Sequence, residues 1–228
     1  FQNKMVYKIN QISKHLNFLI MEEREITEKE SLAIITAMIA STRERYIGNG
    51  NIMLMWGYLT VAVTLLVWGM LAATGNPAWN WLWFLIWAVG GTLTPIMARK
   101  DRRIRGVKSY SDQLTSRIWS AVGWCGMVSV VLCLGFLLIA GVDSWSMMFA
   151  YALVIVPFAE IASGIIVREN SMVGGGAVGL VAGIFTVCCI AGGVVMYAGW
   201  YLPIFILAFV CMLIIPGHIL NHKAKEGR

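Results

Sequence analysis

From Asn51 onward the chain alternates long apolar runs with short polar breaks. The runs reach about 20 residues, enough to cross roughly 30 Å of hydrocarbon as a helix. They are continuous rather than alternating residue by residue, so they read as helices and not as barrel strands. In lipid only helices and closed barrels satisfy their own backbone. Six spans are expected, near 51–73, 78–98, 117–140, 145–167, 172–193 and 200–220. Ahead of them, residues 27–47 predict an amphipathic helix within a cytoplasmic segment, 21–50. Thr27 and Glu30 stand at capping-box spacing. Leu32, Ile35, Ile39, Thr42 and Tyr46 recur at helical spacing on one face, and "GNGN" from Gly48 ends the pattern. Residues 1–20 read as a leader or extension before Met21, without the apolar core of a secretory signal.

The breaks differ in charge. The turns after the first, third and fifth spans ("ATGNPAW", "GVDSW", "YAGW") hold no Lys or Arg. The loops after the second and fourth spans and both tails hold all of them. By the positive-inside rule both termini are cytoplasmic, and the expected home is a bacterial-type inner membrane. The residues after the last span, 221–228, form a cytoplasmic tail. The three uncharged turns are short, so the fold class expected is all-α: six transmembrane helices as three serial hairpins. The second helix of each hairpin has a Trp near its outer start (Trp79, Trp145, Trp200) and a Pro further in (Pro95, Pro157, Pro216). That recurrence suggests a repeated hairpin. Stretches such as "MWGYLTVAVTLLVWGML" and "YALVIVPFAEIASGIIV" are similar in this general way to the short-repeat, six-helix bacterial membrane proteins of the HdeD type. The basic loop and the amphipathic helix depart from that pattern, so no family is assigned.

Composition narrows the function classes. Charged residues make up 13% of the 228 and hydrophobic ones 58%, where a soluble domain has about 25% charged. The net charge of +6 is a topology signal, and no nucleic-acid module surrounds it. Arg99, Lys100, Arg102, Arg103, Arg105 and Lys108 form a basic loop suited to anionic lipid head groups. Ser109 and Asp112 have capping-box spacing just after it. The five cysteines all lie in apolar runs, without metal-ligand or disulfide spacing. His218 and His222 share a helix face, yet no third ligand stands near them. No nucleophile or phosphate-binding motif is present. The expectation is therefore no enzyme, no metal and no cofactor.

Two features remain. Gly175, Gly179 and Gly183 form a smooth stripe, the kind that lets membrane helices approach closely, within one subunit or between subunits of a homo-oligomer. Glu160 is the one charge set in the middle of an apolar run. A charge there costs about 2.5–3.5 kcal/mol on insertion scales and should face protein or water. Ser163 and Gly164 lie on its face one turn on, and Pro157 one turn back. Counted by depth, Thr94 and His218 are its candidate partners in a proton or cation site. Two functions follow. One is passage of a small solute or cation, or proton-linked transport, centred on Glu160. The alternative is a non-transporting scaffold or regulatory module that docks a cytoplasmic protein through residues 22–47 and 98–117.

Overall fold

The computed structural model describes Leu32 and residues 50–105 and 110–226. The leader at 1–20 and the amphipathic helix at 21–50 lie outside the described residues, apart from Leu32, which is helical and exposed, and Gly50. Lys108 and the side chains of Arg102, Arg103 and Arg105 also lie outside them. The chain divides into two units, Phe1–Arg45 and Tyr46–Arg228.

Every element described in the second unit is helical, and six helices are long and apolar enough to cross a membrane. This is the build of a multi-pass membrane protein. Helix α1 is Asn51–Thr74. It ends at Gly75, whose φ of +65° suits a residue without a Cβ. Asn76 then caps a 3₁₀ turn, Pro77–Trp83, which leads into α2, Phe84–Arg105. Helix α3, Tyr110–Gly135, is prolonged by a π turn at Phe136–Ala140. It starts seven residues before the expected span, because its first turns are polar.

Helices α4 and α6 are each interrupted. Helix α4 runs Ser146–Ala150, widens to a π turn at Tyr151–Ile155, and resumes as Val156–Val167. Helix α6 runs Ala198–Phe209, widens at Val210–Ile214, and resumes as Ile215–Glu226. In both, a proline follows two residues after the π turn, Pro157 and Pro216. Proline has no N–H to give to the carbonyls four and five residues back, and widening the helix relieves the clash. Pro95 lies inside α2 without such a turn. The uninterrupted α5, Asn170–Ala191, packs along both broken helices.

The core gathers around α6. Leu153, Tyr201, Leu202, Phe205, Ala208, Phe209, Met212 and Leu213 form one buried cluster. Trp83 meets Phe149 edge-to-face at 5.6 Å and Phe205 at 5.8 Å, tying the start of α2 to α4 and α6. Outer surfaces are strongly apolar: Leu138 is 80% exposed and Ile139 90%. Such surface is a liability in water and ordinary in hydrocarbon.

Candidate functional site

Glu160 sits in the lower segment of α4, after the π turn and Pro157. Its neighbours on that helix face explain its burial. Pro157 packs against Gly179, and Gly164 against Met172 and Val173, all on α5. Glu160 lies between Pro157 and Gly164 in sequence and within one turn of each, so it shares the packed side. The side chain is 0% exposed, as is Ser163. Neither carboxyl oxygen meets a hydrogen-bonding group among the described residues.

Ser163, one turn on, and the two expected partners of Glu160 are committed elsewhere. Ser163 Oγ donates to the Ala159 carbonyl at 2.7 Å. Thr94 Oγ1 donates to the Gly90 carbonyl at 2.6 Å and accepts from Trp56 Nε1 at 3.0 Å. His218 Nε2 is paired with the Tyr58 hydroxyl at 2.7 Å. Thus the contacts expected between Glu160 and Thr94 or His218 are not hydrogen bonds of this structure. Both residues turn toward α1 instead.

The glycine stripe has a specific cause. A Cβ on Gly183 would meet the carbonyl of Leu153. One on Gly175 would stand 2.7 Å from the carbonyl of Cys211. Leu153 is four residues before Pro157, and Cys211 five before Pro216. These are carbonyls to which the proline gives no N–H. Helix α5 therefore presents a glycine wherever a broken helix pushes backbone toward it. Gly179, between them, receives the Pro157 ring and the Met212 sulfur.

A second acid escaped the sequence reading. Glu169 is 5% exposed and begins α5 as its N-cap. It accepts from Ser171 N at 3.4 Å and Ser171 Oγ at 2.9 Å. Lys223, on α6, donates to both of its oxygens at 2.8 and 2.9 Å. Burial pushes this carboxyl upward, but the hydrogen bonds from Lys223 and Ser171 and the Lys223 charge prevail, holding it below the usual carboxylate range. Arg168 makes the turn into it, with a φ of 57°. Close by, Asn221 Nδ2 donates to Asn51 Oδ1 at 2.8 Å, joining α6 to α1. The only hint in the sequence was the polar tripeptide "REN" between two apolar runs.

Of the basic residues expected at lipid head groups, Arg99 and Lys100 are exposed on α2. Among the described residues no cluster of His, Cys, Asp or Glu has the numbers to hold a metal ion. All five cysteines are free thiols. No family model matches this chain, and neither a curated protein nor a solved structure matches it.

Proposed function

We propose that this chain is an inner-membrane carrier that takes up and releases a proton at Glu160, linked to passage of a small solute or cation. The observation that carries this reading is the buried Glu160 carboxyl, which meets no hydrogen-bonding group among the described residues. A carboxyl kept only to lock a bundle together needs a group to hold. Buried polar groups are hydrogen-bonded in the great majority of cases, and an ionisable residue inside a membrane span marks an ion or proton path as a rule. The candidates for holding this one, Thr94, His218 and Ser163, each serve another group. What suits the site is a mobile species: a proton, with water to carry it.

The surroundings support movement of that species. Glu160 follows directly on a helix break in α4, and α6 carries a matching break. Irregular backbone at membrane depth is tolerated where protein buries it or a wet cavity adjoins it. The basic residues Arg99, Lys223 and Lys225 lie in the last two turns of α2 and α6, and Arg168 lies just beyond α4. By the positive-inside rule this is the cytoplasmic side. The carrier would then meet the cytoplasm at the Lys223 end.

Infrared difference spectroscopy in lipid tests the reading. The protonated-carboxyl stretch is followed across pH, and Glu160→Gln assigns the band. A Glu160 band that titrates and shifts promptly in heavy water is the expected result. A band constant at every pH and slow to exchange would make Glu160 a structural lock and end the transport reading.

A further inference from the structure

We infer that the seam between α3 and α4 is the proton's route to Glu160, with Thr115 and Ser163 as the relaying hydroxyls. The antiparallel packing of the two helices sets both hydroxyls at one level, one turn beyond the carboxyl. The inference rests on Glu160 being the exchanging site.

The register of the seam follows from Val122. Helices α3 and α4 pack together, and Tyr151 Oη donates to the Val122 carbonyl at 2.9 Å. Val122, Tyr151 and Ala159 form one buried cluster. Tyr151 and Ala159 are eight residues apart on α4, about 12 Å, so Val122 is the residue that joins them. It therefore stands opposite the stretch between them. Thr115 lies seven residues before Val122, about 10 Å toward the Arg168 end of α4 and on the same side of α3. Ser163 lies eight residues, about 12 Å, beyond the midpoint of Tyr151 and Ala159. It is also one turn after Ala159, on the same side of α4. The two hydroxyls thus stand within about 2 Å of one level, on the sides where the helices meet.

Burial and bonding single these groups out. Glu160 and Ser163 are both 0% exposed and, three residues apart, are neighbours on one helix face. Ser163 Oγ donates at 2.7 Å to the Ala159 carbonyl, the oxygen of the peptide that leads into Glu160. Its lone pairs stay open to accept. Thr115 differs from other threonines of the bundle. Thr64, Thr92, Thr94 and Thr186 each donate to the carbonyl four residues back. Thr115 Oγ1 is buried and meets no hydrogen-bonding group among the described residues. A buried hydroxyl without a fixed bond is open to water and free to turn. Three side chains among the described residues have such unmet buried atoms: Thr115 and Glu160 border this seam, and Ser144 lies in the turn ahead of α4. Asp112, in the first turn of α3, stands one turn from Thr115 at the end that the basic residues assign to the cytoplasm. Along either helix a step spans about 5 Å, one turn, which a single bridging water covers. Charge balances at each step. A hydroxyl accepts a proton on a lone pair and releases its own hydrogen onward, Ser163 turning from Ala159 as it does so. The carboxylate that receives the proton becomes neutral.

Deuterium exchange at the Glu160 carboxyl tests the route. The protonated-carboxyl band of the full chain in lipid is timed after a step into heavy water. Thr115→Val keeps the shape and removes the hydroxyl. It should slow the band's shift about tenfold, as about 1.4 kcal/mol added to the barrier of one relay step implies. Ser163→Ala should slow it similarly, and Thr115→Ser should restore the wild-type rate. Thr94→Val removes a hydroxyl off the seam and should leave the rate as it is. Amide exchange over α3 and α4 checks that each variant keeps its packing, and either slowing variant decides alone if the other does not fold. A wild-type rate in folded Thr115→Val and Ser163→Ala overturns the route and leaves the proton reading standing. Equal slowing in Thr94→Val also overturns it, since the effect would then be general. A wild-type band that never exchanges removes the proton reading, and the route with it.

Discussion

Lys223 and Glu169 stand 54 residues apart in sequence and form a two-pronged contact, with Nζ donating to both carboxylate oxygens at 2.8 and 2.9 Å. The pair joins the start of α5 to the end of α6 and caps α5 at once. Glu169 is held below the usual carboxylate range, so the sign of its pH dependence is fixed. Its contribution is present above the unfolded carboxylate value of 4.5 and is lost as pH falls through its lower folded value.

Lys223→Ala should therefore cost about 1 kcal/mol at neutral pH, at the upper end of the range for exposed pairs. At a pH below the lowered folded value of Glu169 the penalty should shrink toward zero. Thermal unfolding in detergent at the two pH values measures both. An equal penalty at both would mean that the lysine stem, not its charge, matters.

The α5 glycines divide sharply. Alanine at Gly183 would drive a Cβ into the Leu153 carbonyl, which is backbone and has nowhere to turn. Overpacking costs typically 1–3 kcal/mol, and a backbone collision belongs at the upper end or beyond it. Gly174, on the same helix, has open space around its Cβ direction. Gly174→Ala should be neutral or slightly stabilising, by up to about 1 kcal/mol from helix propensity. Unfolding temperatures of the two single variants decide the matter. Similar losses in both would mean that α5 does not approach its neighbours in this way.

These results show what a sequence discloses of such a bundle. The helices were legible because an apolar run of sufficient length has few alternatives in lipid. The glycine stripe was legible as a surface of close approach, since small residues at four-residue spacing share a face. Its cause was not, because Gly183 and Leu153 meet only once both helices are packed. Depth counting placed Thr94 and His218 near the level of Glu160, but a level is one coordinate. The rotation of α2 and α6 turns Thr94 to Trp56 and His218 to Tyr58. Glu169 gave no periodic signal, since a single acid in a two-residue link resembles any loop residue. Pro157 and Pro216 were visible, whereas the π turns before them follow from packing that prolines alone do not specify: α2 carries Pro95 without one.

Tyr201 is 1% exposed, and its hydroxyl lies 3.0 Å from Thr186 Oγ1. Thr186 also donates to the Ala182 carbonyl at 2.8 Å, so in that pair the tyrosine is the donor. Tyr201→Phe keeps the ring among Phe149, Trp200 and Phe205 and removes only this bond. The expected loss is about 0.6 kcal/mol, the mean for hydrogen bonds between membrane helices. Thr186→Val should lose a similar amount, and the double variant little more than either. A double-mutant cycle on unfolding free energies checks this. Additive losses would mean that the two hydroxyls do not share a bond.

The final prediction separates the depth-count expectation for Glu160 from the geometry. A carboxyl stretch is sensitive to hydrogen bonding at its own oxygens. Thr94 Oγ1 is engaged by Trp56 and Gly90, and His218 by Tyr58. Thr94→Val and His218→Ala should therefore leave the Glu160 band of the protonated form at its wild-type frequency. Each should still lower stability by about 0.5–1.5 kcal/mol, through the bond to α1 that it removes. A shifted Glu160 band in either variant, with the fold intact by amide exchange, would place that residue on the carboxyl in the membrane and restore the site that depth counting proposed. Unshifted bands beside measurable destabilisation would leave Glu160 without a fixed protein partner, as a group that exchanges its proton requires.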